Sequence, residues 1–165
     1  MKNKFIKSKK GSSSIEAAIL IMPIFLIAFI FVSMFNKNGI EINTSYALKE
    51  AVGDAVIQPD YDTAEDKATQ TFTETLSMET KKDGTPKYEL NNNMITFEIL
   101  DTNRNPVAAS NINWCKDYFF KITAVTKSNS SFIRNNHFYN DSVFSSAVNT
   151  EKTMIARIEN APVCN

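Results

Sequence analysis

The chain has 165 residues, of which 18 are cationic and 18 acidic, so its formal net charge is zero. This length suffices for one modest domain besides a membrane helix, and the charge gives no reason to expect a nucleic-acid partner. The four glycines form no phosphate-binding loop. His137 is the single histidine, and neither a zinc set nor a recognisable catalytic triad is built around it. We therefore expect no cofactor, no metal site and no enzymatic activity.

The charges are unevenly distributed along the chain. The first eleven residues hold five lysines and no acid, which leaves the remaining residues at −5, and residues 17–35 carry no charge at all. As a helix, this uncharged run would be about 28 Å long, close to a hydrocarbon core about 30 Å thick. Cationic residues beside an apolar span stay in the cytoplasm. The sequence therefore predicts a single-pass membrane protein with a cytoplasmic N-terminus and an extracytoplasmic C-terminal domain.

A single carboxylate, Glu16, lies at the edge of the apolar run, and it has two interpretations. Ser13 and Glu16 match a capping box, in which both side chains satisfy amides at a helix start. Alternatively, Glu16 is functional, because ionisable groups in membrane segments are costly. Gly11 is either an ordinary flexible residue or part of a processing signal. Pro23, which leaves the carbonyl of Ile19 without a helical partner, is either a tolerated membrane-helix proline or a bend that fits a packed bundle.

The segment from Gly11 to Glu16 and the apolar helix that follows it resemble the class III signal of type IV prepilins. Between Gly11 and Glu16 the segment contains three serines and an isoleucine. More narrowly, residues 14–26, SIEAAILIMPIFL, resemble the TadE-like pseudopilins of tight-adherence pili. In that family the proline usually follows the glutamate by six residues, whereas Pro23 follows Glu16 by seven. The resemblance covers about the first forty residues.

The resemblance implies cleavage by a membrane aspartyl peptidase between Gly11 and Ser12, so that Glu16 becomes the fifth residue of the mature chain. The new amine of Ser12 and the Glu16 carboxylate of a neighbouring helix would then neutralise each other and set the axial register. The implied function is structural, as a minor pilin or pseudopilin of a surface pilus or secretion-type apparatus, in adhesion or secretion. The implied partners are other pilins or pseudopilins, the prepilin peptidase, the inner-membrane assembly platform and membrane lipid.

Three other functions are compatible with the same segment. The first is an uncleaved, signal-anchored extracytoplasmic binding domain. The second is a membrane-anchored enzyme, which ranks last because the sequence offers no catalytic site. The third is an ordinary secretory protein cleaved after residue 33 or beyond, although residues 31–36 match poorly the small residues that such cleavage needs.

The residue pattern divides the chain into a leader (1–11), a transmembrane helix (12–36), a helical stalk (37–57) and an extracytoplasmic α+β domain (58–165). The sequence Asn-Lys-Asn-Gly at 36–39 marks the outer interface and favours a helix break. The helical pattern resumes at Ile40, with an apolar arc that Glu41 interrupts, and ends at residues 58–60. A second helix is predicted from about residue 63 to 77, capped by Asp62 or Thr63. Its predicted buried stripe is Ala64, Ala68, Phe72 and Leu76.

Residues 81–86 predict a turn, and the pattern then changes to period two. Alternation predicts strands at 94–100 and 118–127, with further strand-like runs at 132–138, 142–148 and 153–158. Successive strands with short links indicate an antiparallel sheet, covered on one face by one or two helices. The predicted fold is therefore α+β, with a long N-terminal transmembrane helix.

The two cysteines, Cys115 and Cys164, have two interpretations. An extracytoplasmic domain permits a disulfide between them, and closing a loop of about 50 residues would contribute roughly 4 kcal/mol in the loop-entropy model. The alternative is two free thiols. Trp114, beside the first cysteine, is predicted to belong to the core.

Overall fold

A computed structural model of the chain describes residues 10–89, 94–108, 114–129 and 149–163, with side chains from residue 15 onward. In chain order the described elements are helix α1 (Lys10–Val56), helix α2 (Tyr61–Ser77) and strands β1 (Ile95–Leu100), β2 (Phe119–Lys127) and β3 (Asn149–Arg157). The α+β class with a long N-terminal helix is confirmed. The strands predicted at 132–138 and 142–148 lie outside the described residues, as does most of the leader.

Helix α1 is continuous over 47 residues, so the helix break predicted at 36–39 is wrong. The reason is tertiary packing, because Ile40 and Thr44, just beyond this segment, are almost completely buried against the rest of the protein. A glycine within a helix costs only about 1 kcal/mol relative to alanine, which such packing outweighs. Lys37 and Glu41 also form an ion pair of 3.9 Å across the segment. At roughly 1.5 Å per residue, α1 is about 70 Å long.

Helix α2 begins at Tyr61, slightly earlier than predicted. Its N-cap is Asp60, which has an extended backbone and accepts a hydrogen bond of 2.9 Å from the amide of Thr63. The predicted cap, Asp62 or Thr63, is wrong because both residues already lie within the helix. The hydrogen bonds from Thr63 hold the pKa of Asp60 below its ordinary value. The predicted buried stripe is confirmed: Ala64, Ala68, Phe72 and Leu76.

The three described strands form an antiparallel sheet in the order β1-β2-β3. The strands predicted at 94–100 and 118–127 are confirmed to within one residue. The third strand begins at Asn149 rather than at residue 153, because it pairs with the whole of β2, from Asn149 opposite Lys127 to Arg157 opposite Phe119. The sequence pattern underestimated its length because the side chains of β3 are only partly buried.

One face of the sheet packs on α1, and α2 packs on α1, so that the three layers share one core. Phe120 lies at its centre, fully buried, with the rings of Trp114 and Tyr61 at 5.4 and 6.2 Å and Phe97 stacked on it at 5.6 Å. Trp114 is confirmed as a core residue, and its indole donates a hydrogen bond of 2.9 Å to the carbonyl of Gln58. The predicted stalk contributes to the same core through Ile40, Ala47, Leu48, Ala51, Val52, Ala55 and Val56.

The opposite face of the sheet carries polar pairs beside the exposed apolar side chains of Val125 and Ile155. Lys121 on β2 forms an ion pair of 2.6 Å with Glu98 on β1, and the hydroxyls of Thr123 and Thr153 lie 3.0 Å apart. An antiparallel sheet commonly packs one face on the core and leaves the other face in solvent. Among the described residues, α1 lies against a single face of the sheet, as the sequence predicts, and α2 packs on α1.

Candidate membrane and assembly surface

The first half of α1 is apolar, and almost all of its described side chains are exposed, with Ser33 buried and Phe29 partly buried. With this apolar segment, α1 is long and apolar enough to span a membrane. The exposed large apolar side chains are Ile15, Ile19, Leu20, Ile21, Met22, Ile24, Phe25, Leu26, Ile27, Ile30, Phe31, Val32, Met34 and Phe35. A helix that is apolar around its whole circumference suits lipid or other apolar helices rather than water. Residues 15–35 therefore form a surface compatible with a membrane anchor.

The predicted processing site lies at the N-terminal end of this surface. The backbone of Gly11 and Ser12 is helical, and Glu16 follows on the same helix, about 6 Å along the axis from Ser12. The capping-box interpretation of Ser13 and Glu16 is wrong for this helix, because Ser13 lies inside it and an N-cap residue has a non-helical backbone. Glu16 is exposed at the start of the apolar surface.

Pro23 lies within α1, and the helix continues across it. A proline in a helix interior removes one backbone hydrogen bond, here the one to the carbonyl of Ile19. In a membrane helix the freed carbonyl is usually satisfied by neighbouring groups. Pro23 therefore does not end α1, and its side chain belongs to the exposed apolar surface.

The second half of α1 is covered on one side only. Ile40, Thr44 and Leu48 are buried in the core, whereas Ile42 is 67% and Tyr46 58% exposed. Successive residues are rotated by about 100° in a helix, so Phe35, Ile42, Tyr46 and Gly53, at spacings of seven, four and seven, share the side opposite the core. We call these four residues the outer stripe. It extends the apolar surface of the first half beyond residue 35.

Two polar contacts fix the rotation of α1 against the domain. Lys152 on β3 lies 3.1 Å from the carboxylate of Glu41, which explains the acid that interrupts the predicted apolar arc. The side-chain amide of Asn43 donates a hydrogen bond of 2.7 Å to the hydroxyl of Tyr88. Burial raises the pKa of Tyr88 above its usual value, so the phenol is neutral at ordinary pH. Together these contacts hold the outer stripe away from the core.

A cleft opens where the exposed half of α1 meets the domain, and the sequence did not predict it. It has a volume of about 360 Å³. We call it the junction cleft, and its principal lining residues are Phe35, Gly39 and Asn43 on α1 and Lys81, Lys87 and Tyr88 on the segment after α2. The sequence places Lys81 in a turn, but the position of both lysines against α1 depends on tertiary packing.

The described cysteine lies near the other end of α1. Cys115 is buried and disulfide-bonded. Beside it, the amide of Lys116 donates a hydrogen bond of 2.8 Å to the carbonyl of Pro162, and Lys116 pairs with Val163 in a parallel bridge. The backbone just before Cys164 therefore runs alongside Cys115. Cys164 itself lies outside the described residues, so the pairing stays a prediction.

The described ranges contain no group of three histidine, cysteine or acidic side chains placed to hold a metal ion. His137 lies outside those ranges. Comparisons of the chain with protein-family models, with curated proteins and with solved structures gave no match. The resemblance to TadE-like pseudopilins therefore rests on the first forty residues alone.

Proposed function

We propose that this chain is a TadE-like minor pilin or pseudopilin that assembles through α1 after cleavage by a prepilin peptidase. The observation that supports the proposal is the exposure of α1. Its first half is apolar all round, and its second half leaves one apolar stripe uncovered. A subunit that is first anchored in lipid and later packed among other helices needs both surfaces, because each environment requires an apolar helix exterior.

Hydrolysis of the Gly11–Ser12 bond would leave a carboxylate on Gly11 and an amine on Ser12. A peptidase needs this bond in an accessible conformation, whereas the uncleaved chain holds it in the first described turn of α1. Glycine is about 1 kcal/mol less favourable than alanine in a helix, and serine is also a weak helix former. Unwinding Gly11 and the three serines that follow therefore costs little.

The Ser12 amine and the Glu16 carboxylate would act between neighbouring subunits. Two unit charges 4 Å apart attract by about 1 kcal/mol in water and by about 4 kcal/mol at an effective dielectric constant of 20. Desolvation of both groups offsets much of this gain. The pair therefore serves to select one axial register, while contact between apolar helix surfaces supplies the affinity.

The position of the domain allows such packing along nearly the whole of α1. The domain covers α1 on the side of Ile40 and Thr44 and leaves the outer stripe uncovered. A Cβ atom added at Gly39 or at Gly53 would meet no atom within 4 Å, so the helix surface is open there. A neighbouring helix can therefore approach α1 from its N-terminal end as far as Gly53.

The test is N-terminal sequencing of the mature protein, combined with the variant Glu16→Ala. We expect the mature chain to begin at Ser12, and we expect Glu16→Ala to be cleaved normally but excluded from the assembled apparatus. Asp66→Ala, which removes an exposed acid from α2, is the matched control and should be both cleaved and incorporated.

Each contrary result would have a different consequence for the proposal. A mature chain that retains its lysines would refute processing and would favour the uncleaved binding domain. A start beyond residue 33 would indicate an ordinary secretory signal. Normal incorporation of Glu16→Ala would remove the proposed role of that carboxylate in setting register.

A further inference from the structure

We propose that the junction cleft binds the phosphate headgroup of an anionic membrane lipid. This inference rests on one part of the proposed function, namely that α1 crosses the bilayer, and it is independent of cleavage and of pilus assembly. It is supported by the position of the cleft, by its charge and by its hydrogen-bond donors.

The cleft lies where the lipid headgroups would be. Phe35 is both the last residue of the uncharged run and part of the cleft lining. Asn43, at the far end of the lining on α1, lies about 12 Å further along the helix axis. With a hydrocarbon core of about 30 Å in a bilayer of about 40–45 Å, each headgroup layer is roughly 5–8 Å thick. The cleft therefore spans the headgroup layer if residues 17–35 span the core.

The lining of the cleft favours an anion. Among the described residues it contains Lys81 and Lys87 and no carboxylate. Lys81 donates a hydrogen bond of 2.6 Å to the carbonyl of Asn129, and Lys87 forms an ion pair of 2.6 Å with Glu79, which is not among the lining residues. The hydrogen bond from Lys87 to Glu79 raises the pKa of Lys87, which therefore stays cationic at neutral pH. Each ammonium has three donors and these contacts use one, so further donors remain for a ligand.

The existing contacts also position the donors in advance. A flexible lysine loses conformational freedom when a ligand immobilises it, and Lys81 and Lys87 are already held by their protein partners. Tyr88 accepts its hydrogen bond from Asn43, so its own hydroxyl hydrogen can be donated to another oxygen. Phosphate oxygens are strong acceptors for such groups.

The size and the apolar edge of the cleft suit a lipid headgroup. Small-molecule sites usually have volumes of about 300–1,000 Å³, and this cleft, at about 360 Å³, can hold a headgroup but not the acyl chains. Phe35 is 74% exposed at the membrane side of the cleft, where the acyl chains would leave it. A free phosphate ion would use the same donors but would make no use of this apolar edge.

The test uses glycine resonances, because the chain has only four glycines. The full chain, labelled with ¹⁵N-glycine in a non-ionic detergent, is titrated with short-chain phosphatidylglycerol, with short-chain phosphatidylcholine and with inorganic phosphate. Gly39 lines the cleft, whereas Gly53 on the same helix does not. We expect phosphatidylglycerol to shift the Gly39 amide resonance saturably and to leave that of Gly53 unchanged, with little response to the other two probes.

Variants separate binding at the cleft from general attraction to anions. Loss of the donors in Lys81→Ala/Lys87→Ala should weaken binding roughly tenfold or more, since a charge-assisted hydrogen bond contributes about 1.5–3 kcal/mol. The control Lys49→Ala/Lys67→Ala removes the same charge elsewhere and should bind as the unmodified chain does. If the double variant does not fold, Lys87→Gln supplies a milder test of the same donor.

Three results would overturn the inference: an equal response to phosphatidylcholine, an equal response to inorganic phosphate, or unchanged binding by the cleft variants. The first would indicate general lipid contact and the second a site for soluble anions. Extraction of the chain from membranes by alkaline carbonate would instead refute membrane insertion itself, so failure of the anchor and failure of the cleft are distinguishable.

Discussion

Two aliphatic residues on the same half of α1 should separate folding from assembly. Leu48 is fully buried in the core, whereas Ile42 is 67% exposed on the outer stripe. Leu48→Ala removes buried carbon atoms and leaves a cavity, which typically costs about 2–5 kcal/mol of folding free energy. Ile42→Ala truncates a side chain that lies mainly in solvent, so we expect its free energy of unfolding to change by about 0.5 kcal/mol or less.

The expected effect of Ile42→Ala on assembly follows from its exposed area. The substitution removes three carbon atoms, and burial of each such group is worth about 0.8 kcal/mol. Scaled by the fraction of the side chain that a neighbouring helix could still cover, the loss is about 1–2 kcal/mol per subunit contact. This corresponds to association that is roughly five- to thirtyfold weaker.

The assay compares both variants by denaturant unfolding and by association of the full chain in detergent. Met78→Ala is the matched control, because Met78 is 79% exposed just after α2, away from the outer stripe, and should change neither quantity appreciably. The reasoning is refuted if Ile42→Ala destabilises the fold as much as Leu48→Ala does. It is equally refuted if Ile42→Ala associates as strongly as the unmodified chain.

Three further substitutions test the fold. Gly39→Ala meets no neighbouring atom and should raise the free energy of unfolding by about 1 kcal/mol in denaturant titration, since alanine is the better helix former. The pKa of Asp60 is lowered in the folded chain, so its stabilisation of α2 is complete above its ordinary pKa of 3.8 and is lost as the pH falls through the lowered value. Asp60→Asn should keep the cap but abolish this loss of helix stability at low pH, as followed by a circular-dichroism titration. Cys115→Ser should lower the free energy of unfolding by up to roughly 4 kcal/mol, and a non-reducing peptide map that shows free thiols in the unmodified chain would contradict this expectation.

The parts of the fold that the sequence predicted correctly depend on periodic burial. Every member of the predicted α2 stripe is buried, and the alternation in β2 places Phe120, Ile122 and Ala124 in the core. Such patterns are visible in a sequence because each element must bury one face, and its period follows from backbone geometry alone. The resemblance at the N-terminus is of a different kind, because it depends on a motif that the fold does not explain.

The wrong predictions share a different cause. Residues 36–39 have weak helix propensity, but α1 continues across them because Ile40 and Thr44, just beyond, are buried in the tertiary structure. The cap at Asp60 lies close to the predicted Asp62, and its identity depends on backbone angles that composition does not specify. The junction cleft joins α1 to lysines about 40 residues away, and no local pattern encodes such a contact.

The continuity of α1 changes what a contact at its N-terminus can do. Glu16 and Glu41 lie on one unbroken helix, about 38 Å apart along the axis. Lys152 connects Glu41 to the sheet, and the buried residues of α1 form part of the domain core. If α1 were broken at residues 36–39, an axial register set between neighbouring helices at Glu16 would position only the first segment of α1. Because the helix is continuous, the same register would also position the domain, so in the proposed assembly a contact among N-termini would determine which domain surfaces face each other.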